Sequence, residues 1–205
     1  MAARLAFHGL PGRCITAAFR RGAIWELFMI RLVIFLALLS FPAATAFCAD
    51  EKIDPNTYIC AELIASAVDG APPIYEGLQL DGFAAGKAGS PIADPELLQP
   101  LLLDVFDSCS AEPADKALAH WEKSRATYVV NSESPWRADK TTCADYAKNP
   151  DDGSGFVIWL DAYNRAKNSS NKSVLTDQET LEKFLDSCSR TPDKLVIDAI
   201  AVGGK

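Results

Sequence analysis

The chain spells nearly the same cysteine-centred phrase twice, FDSCSAEPADK at 106–116 and LDSCSRTPDK at 185–194. Two more blocks recur in the same order. YICAELIAS (58–66) faces TTCADYAKN (141–149), which matches Cys60 to Cys143 and Glu62 to Asp145. LQLDGFAAGK (78–87) faces IWLDAYNRAK (158–167), which matches Leu80 to Leu160, Asp81 to Asp161, Phe83 to Tyr163 and Lys87 to Lys167. In the phrase itself, Asp107, Cys109 and Pro113 match Asp186, Cys188 and Pro192. Three blocks in one order at similar spacing indicate an internal duplication. It divides the chain into a first repeat over 54–127, a linker over 128–140 and a second repeat over 141–205.

Duplication limits the cysteine chemistry. Of six cysteines, Cys60, Cys109, Cys143 and Cys188 lie within the repeats. Four cysteines allow three connectivities, and only Cys60–Cys109 with Cys143–Cys188 keeps each repeat self-contained. Each bridge closes a loop of nearly fifty residues, contributing roughly 4 kcal/mol by loop-closure entropy, an upper value. That matters for a unit of 70–80 residues, whose apolar core rarely supplies more than about 3–5 kcal/mol. No two of the four sit at C-x-x-C spacing, and His120 is the only histidine beyond residue 46. A structural zinc site is therefore not expected, and no metal ligand is assigned.

The amino end reads as an export signal over 1–46. Arg31 precedes an apolar run from Leu32 to Phe41, and the small residues ATA occupy 44–46. The run is too short to span a membrane, and no span is expected once the signal is cleaved. A single anchoring helix from Ile24 onward is interrupted by Glu26 and Arg31. Residues 1–28 form an odd extension, which makes Met29 the expected true start. Arg20-Arg21 lacks a twin-arginine consensus. Cys48 follows bulky Phe47, where a lipid-modified cysteine wants a small residue. Cleavage after Ala46 would keep Cys48, and cleavage after Cys48 would remove it. Export to an oxidising compartment makes disulfides the default state of the thiols.

Charge excludes another class of partner. The first 46 residues carry five of the 20 basic residues and one of the 27 acids, leaving 15 and 26, a balance of −11. So acidic a body repels phosphate backbones, and nucleic acid is not an expected partner.

Apolar periodicity predicts that each repeat is helical and the body all-α. Thr57 is placed to cap a helix whose face holds Ile59, Leu63, Ile64 and Val68, with Gly70 past its end. A second helix runs through Leu78 and Phe83, and its partner through Ile158, Leu160 and Tyr163. TDQE (176–179) reads as a capping box before Leu181, Phe184, Leu185 and Cys188. Its counterpart starts at Pro95, with Pro100 expected to delay or kink it. Thr191 and Pro192 are placed to open a fourth helix, matched from Pro113 through Leu118 and Trp121. The sequons NSS (168–170) and NKS (171–173) read as a polar loop.

With these residues in place, each repeat resembles the HdeA/HdeB family of small periplasmic acid-stress chaperones. The resemblance rests on the early cysteine of YICAEL or TTCADY, the central LDGF or LDAY, and the late DSC followed by proline and lysine. It covers about 57–125 and 141–202. It implies a compact helical bundle closed by one disulfide, so two tandem small helical bundles in this chain, each closed by one disulfide, and a dimer at neutral pH. Such a dimer loosens in acid and holds unfolded periplasmic client proteins in solution, without cofactor, metal or catalysis. The chain carries two copies where the family carries one, so either a homodimer or intramolecular pairing of the two repeats is expected.

The residues bear on that role directly. With every carboxylate protonated, the body's balance moves from −11 to about +15, His120 and the termini aside. Asp81 and Asp161 interrupt apolar helices and are the pH-switch candidates: a carboxylate with a depressed folded pKa loses its stabilising contribution in acid. Taken singly, each is more readily a helix-surface aspartate or one held by a local hydrogen bond. His120 could sense milder acid, but a single solvated histidine near a repeat end is expected to do nothing. The client-binding candidates are Leu78, Leu80, Phe83, Val157, Ile158, Trp159, Leu160 and Tyr163. Ordinary core packing accounts for most of them, and Trp159 is the residue expected to stand outside it.

The chain lacks H-E-x-x-H, a glycine-rich phosphate loop, and any histidine in the repeated blocks to serve a nucleophile, so no enzymatic activity is expected. The expected function is a periplasmic holdase opened by low pH. The alternative is a non-catalytic periplasmic binding or inhibitor module on the same helical scaffold.

Overall fold

The computed structural model describes residues 52–203, residue 149 excepted. The expected signal segment, Met29 and Cys48 lie outside the described residues. All described residues belong to one compact unit, Ala49–Lys205. The described residues are mostly helical, with eight helices in chain order and two disulfides among them. No helix among the described residues is long and apolar enough to cross a membrane.

The first four helices are α1 (Cys60–Ala65), α2 (Ile74–Ala88), α3 (Pro95–Ala111) and α4 (Ala117–Arg125). The next four are α5 (Cys143–Lys148), α6 (Pro150–Lys167), α7 (Gln178–Arg190) and α8 (Val196–Gly203). Disulfides join Cys60 to Cys109 and Cys143 to Cys188. Each ties the start of a six-residue helix (α1, α5) to the end of a long one (α3, α7).

Backbone geometry explains the repeated phrase. After Cys109 the chain turns, and the carbonyls of Asp115 and Pro113 accept the N–H groups of Cys60 and Ala61, both at 2.8 Å. After Cys188 the carbonyls of Lys194 and Pro192 accept from Cys143 and Ala144 at 2.8 and 2.9 Å. The turn thus satisfies the first orphan donors of a helix too short to be stable alone. A bridge then follows in each case, Ile59 with Lys116 and Thr142 with Leu195. Structural equivalence runs at a constant offset through this turn, so Lys116 corresponds to Leu195 and not to Lys194.

Several helix starts differ from expectation. Ile59, not Thr57, occupies the cap of α1, and its N–H donates to Glu62 Oε2 at 2.8 Å. The Thr57 hydroxyl instead donates to the Asp54 carbonyl. The helix stops at Ala65, which leaves Val68 exposed. Asp177, not Thr176, caps α7, because its carboxylate accepts the Thr180 N–H at 2.7 Å. Thr191 ends α7 rather than opening α8, which begins at Val196, since the carbonyls of 192 and 194 serve α5. At α3, Asp94 caps and Pro95 takes the first turn as expected, while the helix continues through Pro100.

The segment over 128–140 is docked rather than extended. Its strand β2 (Trp136–Arg137) pairs antiparallel with β1 (Ile92–Ala93), Ile92 opposite Arg137 and Ala93 opposite Trp136. Asn131 N–H also donates to Asp94 Oδ2 at 2.9 Å. This two-residue ladder is the departure from an all-α fold.

The most extensive helix contact is between α2 and α6. Helix α2 is buried on every side from Glu76 through Gly86. A Cβ at Gly82 would collide with the Trp159 carbonyl, and one at Gly86 would lie 2.5 Å from the Tyr163 carbonyl. Opposite these glycines lie the Cβ atoms of Ala162 and Ala166. Gly82 aligns with Ala162, and Gly86 with Ala166, so equivalent positions of the two repeats meet. Small residues four apart let the two backbones touch. The apolar core therefore has two clusters that interlock here: Leu78 and Ala85 of α2 join the α6–α8 side, while Ala162 of α6 joins the side of Leu80, Phe83 and Trp121.

Candidate functional site: buried carboxylates at the α2–α6 contact

Asp81 and Asp161 both lie inside the protein. Burying a carboxylate costs free energy unless it is paired and hydrogen-bonded. Asp81 is satisfied by three side chains from two elements. Trp121 Nε1 of α4 donates to Oδ1 at 3.1 Å, Trp159 Nε1 of α6 donates to Oδ2 at 2.8 Å, and Arg125 Nη1 pairs with Oδ1. Trp121 and Arg125 are four apart on α4 and so face α2 together. Arg125 Nη2 also reaches the Ile92 carbonyl at 3.4 Å.

Asp161 is held differently. It accepts from the Ser173 hydroxyl at 2.8 Å and the Val174 N–H at 2.9 Å, and Arg165 Nε lies 3.3 Å away. That Nε–H is not directed at the carboxylate and has no hydrogen bond. The other guanidinium nitrogens bond the Ile53 carbonyl at 3.0 Å and Gln79 Oε1 at 3.3 Å. Gln79 Oε1 also accepts the Ile53 N–H at 3.0 Å. Both backbone groups of Ile53 thus end on α2 and α6.

The two networks cross over between repeats. Gln79 and Trp159 occupy equivalent positions, two residues before each aspartate. Trp159 reaches Asp81 of the other helix, and Gln79 reaches Arg165 beside Asp161.

Desolvation dominates the second pair. Burial pushes the Asp161 carboxyl above its ordinary value despite Arg165, Ser173 and Val174, and it pulls Arg165 below its own. That direction is opposite to the depressed carboxyl expected of a switch at Asp161. A raised carboxyl pKa makes charge costly at neutral pH, and that cost is relieved as pH falls. Depressed carboxyls occur elsewhere: Asp139 beside Arg137, Asp145 beside Lys148 and Thr142, and Asp177 on the Thr180 N–H.

Of the apolar candidates, Leu78, Leu80, Phe83, Val157, Leu160 and Tyr163 are buried and Ile158 is half-buried. Trp159, expected outside the core, is 1% exposed and stacks on Tyr163 with ring centroids 5.2 Å apart. The α6 stripe looked full without it because α2 covers a second side of the helix. Sequence reasoning missed Gln79, Trp121, Arg125 and Arg165. Arg165 was detectable four residues after Asp161, whereas Trp121 and Arg125 reach Asp81 only through tertiary packing. Beside this network lies a groove of about 480 Å³ lined by Ala84, Ala88, Ala126, Val130 and Arg125. His120 stands apart on α4.

Compared with protein-family models, curated proteins and solved structures, the chain matches none of them.

Proposed function

We propose that this chain is an exported, periplasmic acid-stress holdase without cofactor or catalysis, built as two tandem small helical bundles, each closed by its own disulfide. The proposal retains the resemblance to the HdeA/HdeB family. The two repeats pair with each other through α2 and α6 instead of through a second chain. In acid the pairing loosens, and the apolar faces of α2 and α6 become available to unfolded clients.

The observation that carries this reading is the α2–α6 contact itself. It buries the apolar residues of LQLDGF and VIWLDAY against each other while enclosing two carboxylates and two guanidinium groups. Charge supplies the drive. The balance after residue 46 moves from −11 toward about +15 in strong acid, which sets like charges against one another across a packed body. Arg125 and Arg165 keep their charge under those conditions, at the place where the helices touch.

Light scattering of a denatured client, followed at pH 2–3 and at pH 7 with the full chain present, tests the proposal. Suppression of aggregation in acid but not at neutrality is expected. Suppression at neither pH would remove the chaperone and leave a non-catalytic binding or inhibitor module on the same scaffold.

A further inference from the structure

We propose that His120, Glu112 and Asp115 form a surface site for a divalent transition-metal ion, for which Zn²⁺ is the probe. The argument starts from one hydroxyl. Ser108 Oγ donates its single hydrogen to the Val105 carbonyl at 3.0 Å and lies 3.1 Å from His120 Nδ1. In the tautomer where Ser108 accepts from Nδ1–H, the ring carries its lone pair on Nε2. Nε2 has no hydrogen bond. It faces Glu112 Oε2 at 3.5 Å and Asp115 Oδ2 at 3.6 Å. Three electron-rich atoms, all within 4.8 Å of one another, converge on one point. A cation satisfies such a convergence, either a proton on Nε2 or a metal ion that takes its place.

The dimensions suit a metal. Zn–N and Zn–O bonds of about 2.0–2.2 Å place tetrahedral ligands about 3.3–3.5 Å apart. The imidazole is the fixed member, at 10% side-chain exposure, whereas Glu112 and Asp115 are 62% and 60% exposed and free to adjust. A ligating histidine whose other nitrogen is oriented by a hydrogen bond is the usual metal-site arrangement. Two carboxylates and one imidazole balance a divalent charge and leave coordination positions for water.

The second repeat is an internal control. The same turn forms there, with Thr191 N–H on the Cys188 carbonyl at 3.2 Å, as Glu112 N–H is on that of Cys109 at 3.2 Å. Thr191, Lys194 and Ala199 replace the three side chains. Folding the turn therefore does not require the trio, and only the first repeat has the site. The ligands lie on a turn and the helix after it, a pattern with no zinc-type spacing in the sequence.

Isothermal titration of the chelator-treated full chain with Zn²⁺ at neutral pH tests the site. One ion per chain is expected. His120→Ala should weaken binding by at least about tenfold, and Ser108→Ala by about tenfold through loss of ring orientation. His8→Ala should leave binding unchanged, and circular dichroism should show each variant folded. On Zn²⁺ addition, the His120 Nε2 resonance should shift in ¹⁵N NMR. Absence of uptake, or equal uptake by His120→Ala, would overturn the proposal; the latter would mean exposed carboxylates gathering zinc without a site.

Discussion

Trp159 donates its indole N–H to Asp81 across 2.8 Å, joining residues 78 positions apart at the centre of the α2–α6 contact. The bond links the second repeat to the carboxylate that the first repeat already holds with Trp121 and Arg125. Replacing Asp81 with alanine strips two buried indoles and a guanidinium of their acceptor. A loss of about 3–5 kcal/mol is expected, as for other buried ion pairs broken from one side. Urea unfolding at pH 7 measures it, and a loss under about 1 kcal/mol would mean that the network is incidental to packing.

Close approach of the two helices gives a second expectation. Gly82→Ala places a methyl group against the Trp159 carbonyl, and overpacking of this kind costs about 1–3 kcal/mol. Gly77→Ala meets only the flexible Leu102 side chain and the Trp121 ring at 3.2–3.3 Å, and the better helix propensity of alanine, about 1 kcal/mol, offsets that. Parallel denaturation curves should show Gly82→Ala clearly the less stable of the two.

Acid stability has a defined sign. Asp161 is held above its ordinary value, so its ionisation costs stability above its folded pKa, and that cost disappears as pH falls toward about 4. Asp139, Asp145 and Asp177 are held below theirs, so their contribution is present above about pH 4 and lost beneath it. Being exposed, each contributes little alone. Unfolding free energy should therefore hold or rise slightly from pH 6 to about pH 4 and drop below that. Carboxyl-carbon NMR should give Asp161 a midpoint above that of an ordinary aspartate; a midpoint below it contradicts the desolvation argument.

Each disulfide encloses a long loop, with cysteines 49 and 45 positions apart, worth roughly 4 kcal/mol by loop-closure entropy. Reduction should lower the unfolding midpoint sharply, and the Cys60→Ser/Cys109→Ser pair should account for about half of the drop. Unchanged midpoints after complete reduction would remove the bridges from the account.

The sequence made the disulfide pairing legible because duplication left one self-contained arrangement, and it made the long helices legible through their periodicity. It misplaced three caps. At α1 the tight bond from Ile59 to Glu62, and at α7 the Asp177 carboxylate, outcompete the hydroxyls of Thr57 and Thr176. Beside Thr191, the Pro192 and Lys194 carbonyls are engaged by α5. The crossing of α2 and α6 was written in Gly82, Gly86, Ala162 and Ala166, but small residues four apart do not name their partner. Trp159 was misjudged for the same reason: one helix's stripe says nothing about a second helix lying on its other side.

The central claim is that acid opens the α2–α6 contact to clients, and a photo-crosslinking amino acid at Phe83 tests it most directly. Phe83 is buried in the folded chain and tolerates an aromatic replacement of similar shape. Irradiation with an unfolded client should give a crosslinked product at pH 3 and none at pH 7. Equal crosslinking at both values, or none at pH 3 while aggregation is suppressed, would contradict the account.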